Sequence, residues 1–297
     1  MKKLLYGIII IMILSLFLLL LRNFTSNEIG SSIITKTENL SSNVENEPEQ
    51  FNKELEKLIT NYLTNNNIST DNVGIYITNY EENEYYELNS ELNYIAASVY
   101  KLPLAMIYYE MINDNAIELD TLLTFSEYHY EYGGPIAENY NFGDQISVEI
   151  LLHNMILHSD NSAGHILFEN LGGWEAFKIL ATDYSDTQQD EVFFSENVLN
   201  ANYINDVLLY LYNNQSKFET LIEDLGEAEP DNYLNLNNHK LAIQKYGTYE
   251  NALNSAGIVF ENSPYSICIF TNIGIDNEYI LSDINKIVFD YYKNKIT

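Results

Sequence analysis

Cysteine is almost missing from this chain: Cys268 is the only one. A disulfide framework and a cysteine-rich metal centre are excluded on that count. The apolar run Ser266-Ile267-Cys268-Ile269-Phe270 predicts a thiol buried in a strand. Positive charge is scarce as well. Lys and Arg number 14 against 43 Asp and Glu, a formal net charge of −29. Phosphate binding needs a basic footprint, so nucleic acid is excluded as a partner; the acidity serves to keep a surface soluble. Histidines at metal-ligand spacing are also lacking. His153 and His158 are five apart and do not share a helix face, so with His165 and Glu169 they predict core or surface histidines and no metal site. No cofactor is called for.

What is present begins with an apolar N-terminus. Leu4 to Leu21 carries no charge, and only Tyr6, Gly7 and Ser15 interrupt it. At helical rise it spans roughly 27 Å, enough for a hydrocarbon core. Lys2 and Lys3 precede it, which favours a cytoplasmic N-terminus. No small-x-small cleavage site follows, so residues 1–22 are expected to be a retained single-pass signal anchor, with a cleaved signal peptide and a secreted product as the alternative. Residues 23–50, rich in Asn, Ser, Thr and Glu, are expected to be a flexible extracytoplasmic linker. Residues 51–297 then hold one globular domain, large enough for two lobes.

Within that domain the apolar spacing of Phe51 to Leu63 predicts a helix. Val73 to Thr78 and Tyr85 to Leu88 predict a β-hairpin. Helices are expected at about 98–113, 147–157 (with Ser147 as N-cap), 162–171, 174–181 and 196–213. Strands follow at 240–245, 253–260 and 265–272, and Asn277 to Tyr292 predicts a closing helix. The fold class is therefore α/β: an antiparallel sheet built from both chain ends, flanked by helices, with a mainly helical second lobe and a ligand cleft between the two.

Three short elements carry chemistry. Ser98-Val99-Tyr100-Lys101 lies where a helical pattern opens. Residues three apart share a helix face, so Lys101 can reach the Ser98 hydroxyl, and N–H groups at the helix start can meet an oxyanion. Ser159-Asp160-Asn161 joins two helices, and alone it reads equally as a polar connection. Lys245-Tyr246-Gly247 ends a strand, where glycine admits a close ligand and lysine supplies a charge; alone it reads equally as a turn.

Taken in order, these motifs resemble the class A β-lactamase and penicillin-binding protein superfamily, whose signature is Ser-x-x-Lys, Ser-Asp-Asn and Lys-Thr-Gly. Phe142 to Leu151, Met155 to Ala163 and Leu171-Gly172-Gly173 add to the likeness. The resemblance implies a serine β-lactamase-like fold and a hydrolase without cofactor. Ser98 would be acylated by a β-lactam or by an acyl-D-Ala-D-Ala end of peptidoglycan. It further implies that Lys101 takes the Ser98 proton, Ser159 relays it to the leaving nitrogen, and Asn161 holds the substrate amide. Lys245 would bind the substrate carboxylate, with Tyr246 and Gly247 beside it, and the N–H groups of Ser98 and Thr248 would form the oxyanion hole. Two departures stand out. Tyr246 replaces the threonine of the third motif, and the deacylating glutamate of the pattern Glu-x-x-Leu-Asn has no clear counterpart. Glu191 lacks that context, and Glu196-Asn197-Val198-Leu199-Asn200 matches its letters at an expected helix start. Acylation with slow release is therefore expected, with a D,D-peptidase or a non-catalytic wall-sensing module as alternatives.

Overall fold

The computed structural model describes residues 50–236, 242–261 and 263–295. The expected membrane anchor, and the expected linker up to Glu49, lie outside the described residues; among the described residues no helix is long and apolar enough to cross a membrane. Elements follow in the order β1 (Gln50–Phe51), α1 (Lys53–Asn65), β2 (Val73–Asn79), β3 (Glu84–Leu88), β4 (Tyr94–Ile95), a 3-10 turn (Ala97–Tyr100) and α2 (Lys101–Asn113). Next come β5 (Leu122–Thr124), α3 (Pro135–Asn139), β6 (Gln145–Ser147), α4 (Val148–Leu157), α5 (Asn161–Asn170), α6 (Trp174–Ala181), α7 (Glu191–Ser195), β7 (Val198–Leu199), α8 (Ala201–Asn213) and α9 (Glu219–Glu227). The chain ends with β8 (Ala242–Tyr249), β9 (Ala252–Val259), β10 (Tyr265–Thr271) and α10 (Tyr279–Lys295).

Both chain ends do build one sheet, in the order β1-β3-β2-β10-β9-β8. Its pairs are antiparallel except for β1 beside β3. Side chains alternate across a strand, and β10 shows what each face buries. Ile267 and Ile269 pack with Leu55, Ile59 and Leu63 of α1 and Ile284 and Val288 of α10. Cys268 and Phe270 point the other way, into the core that includes Val207 and Leu211 of α8 and residues of α2, α4 and α5. Both faces being covered, every residue of β9 and β10 is buried. The helices start on side-chain caps: Asn52 Oδ1 accepts from the N–H of Leu55 (3.0 Å), and Ser147 Oγ accepts from Ile150 (3.3 Å) as expected.

Several boundaries differ from expectation. Gln50 belongs to the sheet, paired with Glu84, and Phe51 is strand, so the first helix begins at Lys53 after the Asn52 cap. The helix expected over 196–213 starts only at Ala201. Asn200 Oδ1 caps it by accepting from Tyr203 (2.8 Å), while Val198 and Leu199 pair with Ile95 and Tyr94 as β7. Lys245-Tyr246-Gly247 sits in the middle of β8, which stays paired with β9 as far as Tyr249 opposite Ala252.

One buried polar joint fixes the helical lobe to the sheet. Asn205 Oδ1 on α8 accepts from Thr78 Oγ1 on β2 (3.0 Å) and from Ser266 Oγ on β10 (2.7 Å). A buried donor without an acceptor costs about 1–3 kcal/mol. Asn205→Ala is expected to lower unfolding stability by about 2–4 kcal/mol, read as a lower urea midpoint with unchanged slope.

Candidate active site

Ser98 lies in the 3-10 turn that runs straight into α2, with Lys101 as the first α-helical residue. The lysine is fully buried. Its Nζ is 2.9 Å from Ser98 Oγ, 2.6 Å from the Ser159 carbonyl and 2.6 Å from Asn161 Oδ1, with Ser159 Oγ at 3.4 Å. A carbonyl and an amide oxygen can only accept, so they hold two of the amine's N–H groups. The third tetrahedral position, toward Ser98, carries either a proton or the lone pair. Burial pushes Lys101 down from 10.5 to about 7, against the opposing charges of Asp160 and Glu131.

Lys245 is the second buried amine. It donates to Ser159 Oγ (3.0 Å) and to the Tyr246 carbonyl (3.3 Å). Burial, and then the nearby charge of Lys101, hold it well below the usual lysine value. Ser159 Oγ thus stands between two amines. Its left-handed backbone (φ 54°) presents carbonyl and hydroxyl to the same lysine. Asp160 acts as a fastener: Oδ1 caps α5 through the N–H of Ala163 (2.9 Å) and Oδ2 accepts from Ile136 (2.7 Å).

The backbone around Ser98 is held from three sides. Ala97 adopts φ 49°, a left-handed conformation that costs a non-glycine residue about 1–3 kcal/mol. Asn254 on β9, fully buried, donates to the carbonyls of Ile95 (2.8 Å) and Ala96 (3.2 Å). Asn197 donates to the Ala97 carbonyl (3.1 Å) and accepts from the Ala96 N–H (2.9 Å). Gly247 presses against the same turn: a Cβ there would stand 2.5 Å from the Ser98 nitrogen, so only glycine allows β8 this close.

Ser98, Asn161 and Thr248 line a cavity of about 460 Å³, whose other walls include Glu131, His165, Phe168, Glu196 and Asn197. Lys101 and Lys245 are buried out of its lining. Tyr246 does not line it either; its ring stacks on Tyr233 (centroids 4.3 Å, 12° between planes) with Lys245 Nζ 4.2 Å from its centre. Glu196 follows α7 and precedes β7, so the letters Glu-Asn-Val-Leu-Asn do not open a helix as expected. Among the described residues no carboxylate hydrogen-bonds to Ser98 or Lys101. The motif residues are thus brought together. Asn254, Asn197 and Glu131 were missed as parts of the site, because a lone polar residue in a strand or loop carries no pattern of its own; His165 was read only as a core or surface histidine, and Asp160 was quoted in its motif without a role.

The geometry agrees with the comparisons. The sequence matches the beta-lactamase enzyme family over residues 51–292. The chain belongs to that family. It is a class A β-lactamase-like serine hydrolase. It is 22% identical over 259 residues to Beta-lactamase VEB-1 of Pseudomonas aeruginosa, covering 75% of this chain and 86% of that one. Among solved structures, PBP-A superposes with a TM-score of 0.72 at 15% identity, covering 84% of this chain and 99% of that one. The TLA-3 extended-spectrum beta-lactamase gives 0.69 at 20% identity, covering 80% and 98%. At these identities the structures share the fold.

A third buried amine braces the cavity wall. Lys178 Nζ donates to the carbonyl of Val198, a wall residue, at 2.9 Å and sits 3.7 Å from the Phe193 ring centre. Burial pushes it from 10.5 down to about 7. The unfolded lysine keeps its proton across that window and the folded one does not, so unfolding takes up a proton and stability rises with pH between these values. The unfolding free energy of the parent minus that of Lys178→Met is expected to grow by about 2 kcal/mol from pH 7 to pH 9. A pH-independent difference in urea titrations would contradict this.

Proposed function

We propose that Ser98 is acylated by β-lactams, or by acyl-D-Ala-D-Ala ends of peptidoglycan, and that the acyl-enzyme is released slowly. The 2.9 Å contact between Lys101 Nζ and Ser98 Oγ carries this reading. With two N–H groups fixed on acceptors, neutral Lys101 directs its lone pair at the serine hydroxyl and takes its proton as Oγ attacks the amide carbonyl. Ser159 Oγ, between Lys101 and Lys245, passes a proton to the leaving nitrogen as the C–N bond breaks. Asn161 and Thr248 face the substrate from the cavity, the first toward its acyl amide. The N–H groups of Ser98 and Thr248 receive the oxyanion. Lys245 attracts the substrate carboxylate, an interaction that Tyr246, turned onto Tyr233, does not assist with a threonine-like hydroxyl.

Release requires water to attack the ester, and an activating base contributes about 10²–10⁴ in rate. Neither Glu191 nor the exposed Glu196 is hydrogen-bonded to the Ser98–Lys101 pair. A D,D-peptidase reading is favoured by the likeness to PBP-A, of which a variant has been solved as an acyl-enzyme complex with penicillin G. The apolar run Leu4 to Leu21 supports tethering to the cell membrane, with the hydrolase outside.

Two outcomes are expected. In cells expressing the full chain, fluorescent penicillin labels a band in the membrane fraction that Ser98→Ala abolishes, and the purified protein gives a stoichiometric burst with little turnover. Equal labelling of both proteins would refute acylation at Ser98, rapid steady hydrolysis would refute slow release, and a labelled band only in the medium would refute the tether. Secondly, only neutral Lys101 accepts the proton, so the acylation rate rises about tenfold per pH unit and levels above pH about 7. A stopped-flow profile that is flat between about pH 5 and 9 would remove Lys101 from that role.

A further inference from the structure

Asn161, His165 and Phe168 fall on one face of α5 and all line the cavity. The chain ahead of α3 is pinned to the start of the same helix by a reciprocal pair. The Glu131 N–H donates to Ser162 Oγ (2.9 Å), and Ser162 Oγ donates to the Glu131 carbonyl (3.1 Å). Ser162 is fully buried and immediately follows Asn161. Glu131 is therefore fixed beside the residue that faces the substrate's acyl amide. Its side chain stays half exposed, 52%, with His165 Nδ1 at 3.7 Å, and it borders the cavity. Its charge reaches the reaction centre, favouring the protonated form of Lys101.

The other carboxylate of the lining adds to it. Glu196 stands on the wall formed by Asn197 and Val198. No lysine lines the cavity, and no arginine follows Arg22 in the sequence. The facing groups that can carry positive charge are His165 on α5 and His129, whose ring centre lies 5.4 Å from that of His165. Burial, and then His165, hold His129 below its usual value. A cleft lined by one sign of charge sorts ligands by charge.

Resting on the acylation of Ser98 proposed above, we propose that Glu131, reinforced by Glu196, makes the site select substrates whose acyl side chain carries an ammonium group and disfavour those whose acyl side chain carries a carboxylate. The preferred class is the amine-bearing acyl peptide or aminoacyl β-lactam. The carboxylate common to all these substrates is met by Lys245 at the other end of the bond being broken, so the discrimination concerns the acyl side alone.

Three penicillins with one nucleus test this: ampicillin with an ammonium side chain, benzylpenicillin with a neutral one and carbenicillin with a carboxylate. Acylation rate constants of the full-length purified protein are measured by competition with fluorescent penicillin at low ionic strength. The expected order is ampicillin, benzylpenicillin, carbenicillin, with about tenfold or more between the extremes. The spread is expected to contract in about 0.5 M salt, where exposed charges are screened. In Glu131→Gln it is expected to fall toward parity, and in Glu196→Gln to fall by less. The substitution keeps the main-chain bonds to Ser162; should the variant not fold, the salt dependence of the parent reads the same charge. Equal rates in the parent, a spread indifferent to salt, or a spread unchanged in folded Glu131→Gln would overturn the proposal. If no penicillin labels Ser98 in the parent, the acylation reading falls and the selectivity with it.

Discussion

Two amines buried around one serine hydroxyl are the constraint on which this molecule turns. Lys101 and Lys245 both reach Ser159 Oγ, neither has a carboxylate partner among the described residues, and both are held below the usual lysine value by burial. Bringing two unpaired ammonium groups so close out of water is unfavourable. The surrounding elements compensate by supplying oxygen acceptors, and burial favours the neutral form of Lys101. The left-handed Ser159, the Asp160 cap and the close approach of β8 at Gly247 all serve that arrangement. Lysines displaced in this way by burial cluster at functional sites.

Much of this could be read from the chain beforehand, for identifiable reasons. Ser98 and Lys101, and the tripeptide at 159–161, are local patterns whose spacing sets their geometry. The hairpin, the helices around 148–181 and the terminal strands follow apolar periodicity. What escaped reading is non-local. Asn254 looks like any residue of a buried strand until β9 is seen beside Ile95 and Ala96. Val198 and Leu199 form a strand only because Tyr94 and Ile95 offer an edge. The start of α8 at Ala201 was obscured because Leu199 stands four residues before Tyr203, so the helical spacing of α8 extends back over that two-residue strand. Glu131 sits in a loop without periodicity, and its importance comes from the buried hydroxyl of Ser162.

The wall between α6 and α8 shows how little regular structure this cavity needs on one side. A five-residue helix, a two-residue strand, the amine of Lys178 under Val198 and the two bonds of Asn197 to the turn around Ser98 hold it in place. Each contact ends on a backbone carbonyl or amide. Apart from the Asn197 amide, which is spent on the Ala97 carbonyl, the side chains of this wall are left available to face a ligand.

Val73 pairs with Thr271 across the middle of the sheet, so strands from the two chain ends meet only after everything between them has been made. Such a pairing closes a long loop before its contacts reward it, which slows folding. The turn holding Ser98 takes its shape from Asn254 on β9, near the end of the chain. Until β9 is in place, the turn around Ser98 lacks the side chain that holds the carbonyls of Ile95 and Ala96. A covalent mark on Ser98 would certify a completed fold as much as it would report a reaction.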